Sequence, residues 1–222
     1  MVSWLEEPCA GWSFYCCGVI ALGCGIYGTS VGLWQAPLQA LYAAIKFPLL
    51  IFLTILGNTI LNGMLTQIFG LGLTFRQTSL TILMSFVIMA LILGALSPIS
   101  LFMIYQYPSS FSNAADTTYN FLLLTQIVVI AYAGVTANIR LFQLLKKLSK
   151  NSILALRILI VWLAGNMFLG TQLSWILSPF VGLPHIEVRF LQEHPFEKNF
   201  FEYAFEHTMD LIHSNLPERN SK

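Results

Sequence analysis

The sequence has very little charge. Only 9% of its 222 residues are Asp, Glu, Lys or Arg, against roughly 25% in an ordinary globular protein. Hydrophobic residues make up 56% of the chain and the mean hydropathy is +0.72, so the chain cannot build a water-facing surface around a soluble fold. The net charge of +1 provides no basic surface for nucleic acid, and we therefore predict no nucleic-acid partner.

The few charges are unevenly placed. Residues 1–183 hold ten charged side chains and residues 184–222 hold eleven. Five intervals contain neither charge nor histidine: 8–45, 47–75, 77–115, 117–139 and 158–184. Each is long enough to cross a bilayer, which takes about 20 apolar helical residues. The sequence therefore predicts a membrane-embedded region over residues 1–183 and a polar tail over residues 184–222.

Backbone hydrogen bonding decides the fold class. In lipid, amides must be bonded within a helix or around a closed barrel, and these intervals are too long and too continuously apolar for barrel strands. We therefore predict an all-α polytopic transmembrane helix bundle of about five spans. The spans are placed at about residues 11–33, 47–69, 79–106, 119–142 and 154–179.

The polar tail contains a second helical pattern. Over about residues 196–213, apolar residues recur every three or four positions with acidic residues between them, which is typical of an amphipathic helix. Its polar face carries Glu rather than Lys, so docking on protein is favoured over lying on anionic lipid. The tail also holds all four histidines, which we interpret as solvated surface residues rather than metal ligands: His185, His194, His207 and His213.

Basic residues near the membrane ends predict the orientation, because cytoplasmic loops carry an excess of Lys and Arg. Most of them surround the connection between spans four and five, which is therefore predicted to be cytoplasmic. The N-terminus is then cytoplasmic and the tail extracytoplasmic. Lys46 falls on the opposite side, where its side chain is expected to reach the headgroups. The residues predicted at membrane ends are Lys46, Arg76, Arg140, Lys146, Lys147, Lys150 and Arg157.

Span one carries a stripe of small residues on one helix face, which we call the glycine ridge. Its members are Gly11, Gly18, Ala21, Gly25, Gly28 and Gly32. A ridge of this kind lets a second helix approach closely. The second helix belongs either to the same subunit or to another copy of the chain. The same stretch holds Cys9, Cys16, Cys17 and Cys24, whose spacing is atypical of metal sites, so we interpret them as packing residues.

Amide and hydroxyl side chains within the spans form another pattern. The candidates on spans two and five are Asn58, Asn62, Gln67, Asn166, Thr171 and Gln172, and spans three and four add Ser85, Ser97, Gln126, Thr136 and Asn138. An amide in hydrocarbon seeks a partner on a neighbouring helix, so spans two and five are expected to face each other. These side chains either tie helices together or form the polar lining of a solute path.

Several chemistries have no residues to carry them. No Asp, Glu or His lies deep in a span, which argues against proton-coupled transport. The H-E-x-x-H and Walker patterns do not occur, so metalloprotease and nucleotide-binding activities are not indicated. We predict a protein that is not an enzyme and that uses no cofactor or metal.

Three short motifs carry a family resemblance. They are A-x-K-x-P from Ala44, F-R-Q from Phe75, and G-T-Q-x-x-W-x-x-x-P-F-x-G from Gly170. Together they are similar to motifs of an uncharacterised family of bacterial polytopic membrane proteins, and the five-span layout resembles the Yip1-type membrane proteins. The resemblance implies a bacterial cytoplasmic membrane. It supplies no activity and no catalytic residues, so it leaves the function open. Ser178 stands where the family commonly has an Arg, so any role of that charge is absent here.

Three functional hypotheses follow from these patterns. We favour a non-enzymatic scaffold or accessory subunit of a membrane assembly. The alternative is a small-solute channel or facilitator lined by the amide side chains, and the third hypothesis is a lipid-acting enzyme that uses the acids and histidines of the tail. The expected partners are the lipid bilayer, other membrane proteins, or a second copy bound through the glycine ridge.

Overall fold

The computed structural model describes residues 10–68, 74–106, 115–149, 152–183, 187–191 and 200–202. Within these ranges no strand occurs, and five long helices dominate. They are α1 (Ala10–Gly32), α2 (Pro37–Ile68), α3 (Phe75–Gln106), α4 (Ala115–Ser149) and α5 (Ser152–Leu177). Each helix is long and apolar enough to cross a membrane, which confirms the predicted all-α bundle. The protein is a multi-pass integral membrane protein.

The predicted start of span two differs most from the structure. Span two was expected from residue 47, whereas α2 begins ten residues earlier at Pro37. Proline suits the first position of a helix, because the amide it lacks would have no helical partner there. Gln39 and Lys46 do not end the helix, because both find hydrogen-bond partners inside the protein. Lys46, which separates two charge-free intervals of the sequence, is thus part of the helix.

Side chains complete the backbone bonding at two other places. Thr74 and Gln77 bond reciprocally to each other's backbone amides at 3.3 and 3.0 Å, a capping box that starts α3. Within α3, Pro98 cannot donate to the carbonyl of Gly94. The Ser97 hydroxyl donates to that carbonyl instead, at 2.8 Å, so the helix continues to Gln106 without an unbonded oxygen in lipid.

The helices form a closed ring in the order α1, α3, α4, α5, α2, and a further contact between α2 and α3 divides the ring. Helices α1 to α3 form a three-helix part, and α2 to α5 form a four-helix part. A hydrophobic core runs through both and includes Ile20, Phe47, Phe86, Leu122 and Trp162. Helix α5 is the least covered, because only 11% of its membrane window is buried, against 44% for α3.

The chain after α5 folds back onto the bundle. Phe190 packs edge-on against Tyr42 of α2. Residues 200–202 are helical, and Phe201 stacks on Phe168 of α5 with ring centres 5.6 Å apart. These contacts agree with a tail that docks on protein. The rest of the predicted helix over residues 196–213 and all four histidines lie outside the described residues.

Candidate functional site

The interior of the four-helix part contains a cluster of amides. Asn58 and Asn62 lie one turn apart on α2 and are 1% and 2% exposed. The side-chain amide of Asn58 donates to the side-chain oxygen of Asn166 on α5. Gly165 of α5 lies beside this contact, where a side-chain carbon would be in ordinary contact with Asn58 Oδ1 at 3.5 Å. The structure thus brings together the two amide-bearing helices that the sequence pairs.

A small cavity lies beside these amides, and side chains from α2, α3, α4 and α5 line it. The space open to the centre of a water molecule is about 10 Å3, close to the least that holds one water. Five polar and four apolar residues line it: Asn58, Asn62, Ser85, Asn138 and Asn166 with Ile82, Phe86, Leu141 and Trp162. The cavity therefore contains polar groups but is far smaller than a solute path.

The other predicted polar residues lie away from this cavity. Gln67 is exposed near the end of α2. Thr171 is half-buried, and its hydroxyl donates to the Met167 carbonyl of its own helix at 2.6 Å. Hydroxyl side chains in helices commonly form this hydrogen bond. Gln172 is half-buried and does not line the cavity. Only Asn58, Asn62 and Asn166 of the six candidates on spans two and five form the site.

A second polar cluster joins α1, α3 and α4. The Tyr27 hydroxyl donates to Gln126 Oε1 at 2.5 Å, and the Ser100 hydroxyl donates to the same oxygen at 3.2 Å. All three residues are buried. Sequence reasoning missed Tyr27 and Ser100, because a tyrosine in an apolar span does not reveal whether its hydroxyl has a partner.

Lys46 is the one charged side chain buried in the described part of the bundle, with 0% exposure. Its ammonium donates to the Pro179 carbonyl at 2.9 Å and lies 5.0 and 5.9 Å from the ring centres of Phe190 and Phe180. Among the described residues no carboxylate pairs with it. The prediction that the Lys46 side chain reaches the headgroups is therefore wrong, and the position of this residue at a membrane end stays a prediction. A carbonyl and two aromatic faces, which attract cations, hold the ammonium inside the protein.

Two glutamines extend this contact into a row of donors. Gln39 Nε2 donates to the carbonyls of Pro179 and Phe180 at 3.0 and 3.1 Å, and Gln35 Nε2 donates to that of Leu183 at 3.1 Å. Gln39 and Lys46 are seven residues apart on α2, which places them on one helix face, and Gln35 lies in the turn before that helix. The spacing is a signal that sequence reasoning missed. The row matters because non-helical backbone at membrane depth needs partners within the protein.

The glycine ridge is divided between two environments. A side-chain carbon on Gly28 would lie 2.4 Å from the Ala43 carbonyl oxygen, and one on Gly32 would lie 2.6 Å from that of Gln39. Gly25 is in ordinary contact with α2 at 3.6 Å. Gly11 and Gly18 meet nothing within 4 Å, and Ala21 is exposed. The C-terminal half of the ridge therefore packs within its own subunit, and the N-terminal half is open.

One close contact of α1 falls outside the ridge. A side-chain carbon on Gly23 would lie 2.4 Å from the Ala90 carbonyl oxygen of α3, and Gly94 faces the backbone of Gly23. Gly23 is not part of the seven-residue repeat. The pair Ala90 and Gly94, small residues four apart on α3, is the signal that indicates this contact.

The other basic residues predicted at membrane ends lie at one end of the bundle where the structure describes them. Successive spans run in opposite directions, so the start of α3, the end of α4 and the start of α5 share an end. Arg76, Arg140, Lys146, Lys147 and Arg157 belong to these regions and are exposed. Lys150 lies outside the described residues. The location of this end in the cytoplasm stays a prediction.

Cysteines offer no metal site where the structure describes them. Cys16, Cys17 and Cys24 are free thiols, and Cys16 and Cys24 belong to the hydrophobic core. In the described ranges no group of three His, Cys, Asp or Glu residues could hold a metal ion. Cys9 lies outside those ranges.

Comparisons with protein-family models, curated proteins and solved structures find no match for this chain. The resemblance based on the motif from Gly170 to Gly182 therefore stays a prediction. Function must be argued from the arrangement of the polar residues themselves.

Proposed function

We propose that this integral membrane protein is a non-enzymatic scaffold or accessory subunit of a membrane assembly. The observation that carries the proposal is the closed polar interior, in which the amides of α2 and α5 bond to each other and leave room for about one water molecule. Interhelical amide bonds of this kind stabilise a bundle. A solute path would need a far wider wet space.

The outer surface offers places for partners. Helix α5 is mostly uncovered, and the open half of the glycine ridge at Gly11 and Gly18 has space for a close helix contact. We propose the lipid bilayer, other membrane proteins or a second copy as the partners of these surfaces, with no nucleic acid and no cofactor. The proposed location is a bacterial cytoplasmic membrane, with the N-terminus in the cytoplasm and the tail outside.

A small-solute channel or facilitator is the second candidate. The observation in its favour is that the amide-lined cavity lies between four helices rather than at one contact. If those helices moved apart, their amides would line a neutral polar path. The third hypothesis, a lipid-acting enzyme, rests on acids and histidines that lie mostly outside the described residues, and it stays a prediction.

Purification in a mild detergent tests the scaffold proposal. We expect a particle heavier than one 24.9 kDa chain, with a partner in fixed stoichiometry. If the partner is a second copy on the open half of the ridge, Gly18→Leu should release the monomer. Gly134→Leu on α4 is the matched control, because that glycine also meets nothing within 4 Å. Recovery of the single chain alone from its native membrane would contradict the proposal.

A further inference from the structure

The amide cavity contains a buried acceptor without a partner. Asn58 is 1% exposed, and its Oδ1 has no hydrogen-bond partner among the described residues. The other end of the same amide is occupied, because Nδ2 donates to Asn166. A buried carbonyl oxygen left unbonded is destabilising by about 1 to 3 kcal/mol, and lipid offers no donor to relieve it. Something that donates a hydrogen bond is expected there.

The size of the cavity restricts what that donor is. The space for the centre of a water molecule is about 10 Å3, so one small molecule fits and a metabolite does not. Asn58, whose Oδ1 is the unbonded acceptor, is one of the residues that line this space. The acceptor and the space for a donor therefore lie together.

The chemistry of the lining favours a neutral donor. Ser85 of α3 and Asn138 of α4 add polar groups from two further helices, and a buried water commonly makes two to four hydrogen bonds. No ionised side chain lines the cavity. A metal cation would lose its hydration there without a counter-charge, which is strongly unfavourable. A water molecule meets both conditions.

We infer that this cavity is a binding site for one water molecule, which donates to Asn58 Oδ1 and links α2 to α3 and α4. The water completes the hydrogen bonding that the Asn58–Asn166 contact leaves unfinished. It also explains why polar residues from four helices meet around a space too small for a solute. The water site stands independently of the scaffold proposal, because it concerns the bundle's interior and not its partners.

Radiolytic footprinting of the full chain in lipid nanodiscs and H218O tests the water site. Hydroxyl radicals formed from a bound water label the side chains around it, so we expect 18O on Trp162 and Phe86, both of which line the cavity. Phe47 is the matched control for Phe86, because the two are 6% and 7% exposed and Phe47 does not line the cavity. Phe47 should stay unlabelled.

Two variants make the test specific. Asn58→Leu removes the acceptor and fills the space, so labelling of Trp162 and Phe86 should fall to the level of Phe47. Asn58→Ser keeps an acceptor and should keep the labelling, which covers the case in which the leucine variant does not fold. Unlabelled Trp162 in the native chain would overturn the water site. Thermal stability that depends on sodium or potassium would overturn it in favour of a cation.

Discussion

Single side chains in the N-terminal half of α2 and in the turn before it hold the irregular segment that follows α5. Lys46, Gln39 and Gln35 supply donors to the carbonyls of Pro179, Phe180 and Leu183. This backbone cannot bond to itself as a helix does, and lipid provides no donors. The side chains of α2 therefore decide where the chain lies after its last span.

The first prediction concerns Gln39. Gln39→Leu leaves the Phe180 carbonyl without its side-chain donor and weakens the bonding of Pro179, so the free energy of unfolding should fall by about 1 to 3 kcal/mol. Unfolding in detergent mixtures measures this change. Gln67→Leu on the same helix is the control, because Gln67 is exposed and surface changes are usually within about 0.5 kcal/mol. Equal stabilities for the two variants would contradict the role of the donor row.

The second prediction concerns the two halves of the glycine ridge. Gly28→Ala places a carbon 2.4 Å from the Ala43 carbonyl oxygen, which forces α1 and α2 apart and should destabilise the protein by about 1 to 3 kcal/mol. Gly18→Ala meets open space, and its better helix propensity should leave stability unchanged or raise it by up to about 1 kcal/mol. Unfolding curves compare the two variants. Equal losses in both would refute the division of the ridge.

Sequence spacing reveals which residues share a face but not which face is covered. The three-and-four steps identify Gly25, Gly28 and Gly32 as one surface, yet the same steps continue to Gly18, which is open. How far α2 follows α1 decides the difference, and that depends on the tertiary arrangement. The prediction for the Lys46 side chain is wrong for the same reason, because its partner Pro179 lies 133 residues away in the sequence.

Among the helices, the contact between α2 and α5 rests on a pair of asparagines. Asn58 and Asn166 bond directly, and both line the adjacent cavity. The pair links α2 to α5, the helix whose membrane window is the least buried. Its strength should be that of an amide bond in a membrane bundle.

The third prediction is a coupling energy for this pair. A double-mutant cycle of Asn58→Ala and Asn166→Ala should give a coupling of about 0.6 to 1.7 kcal/mol. Asn58→Ala combined with Thr171→Val is the control cycle and should be additive, because Thr171 bonds only within its own helix. A coupling indistinguishable from that control would mean that the amide contact does not stabilise the bundle.

The fourth prediction is the orientation of the helices. The basic residues near the ends of α3, α4 and α5 predict a cytoplasmic location for the α4–α5 connection. In a cysteine-free background, a membrane-impermeant thiol reagent added outside should label Ser214→Cys and leave Ser149→Cys unlabelled. The reverse labelling pattern would contradict this prediction and indicate the opposite topology.

Helix existence is more predictable than helix limits. The long charge-free intervals already give five helices, because lipid forces such segments to be helical. The start of α2 could not be obtained in this way, since Gln39 and Lys46 resemble the polar end of a span until their partners after α5 are known. The facing of α2 and α5 was predictable, because amides in apolar spans need partners.

At the scale of the whole bundle, the described helices form a ring in which several buried polar side chains bond across helices. Gln126 collects donors from α1 and α3, and Asn58 bonds to α5. The sequence could indicate that these amides are buried, but it could not separate a tied bundle from a lined path. That distinction depends on the width of the space between the helices, which only the structure provides.

Solute flux through the purified protein tests the central claim that the bundle is tied and closed. In liposomes containing the protein, neutral solutes and ions should enter no faster than into empty liposomes, because the interior space admits about one water. Asn62→Leu should leave this low rate unchanged. Reproducible permeation by the native chain that Asn62→Leu abolishes would contradict the account and establish the amides as the lining of a path.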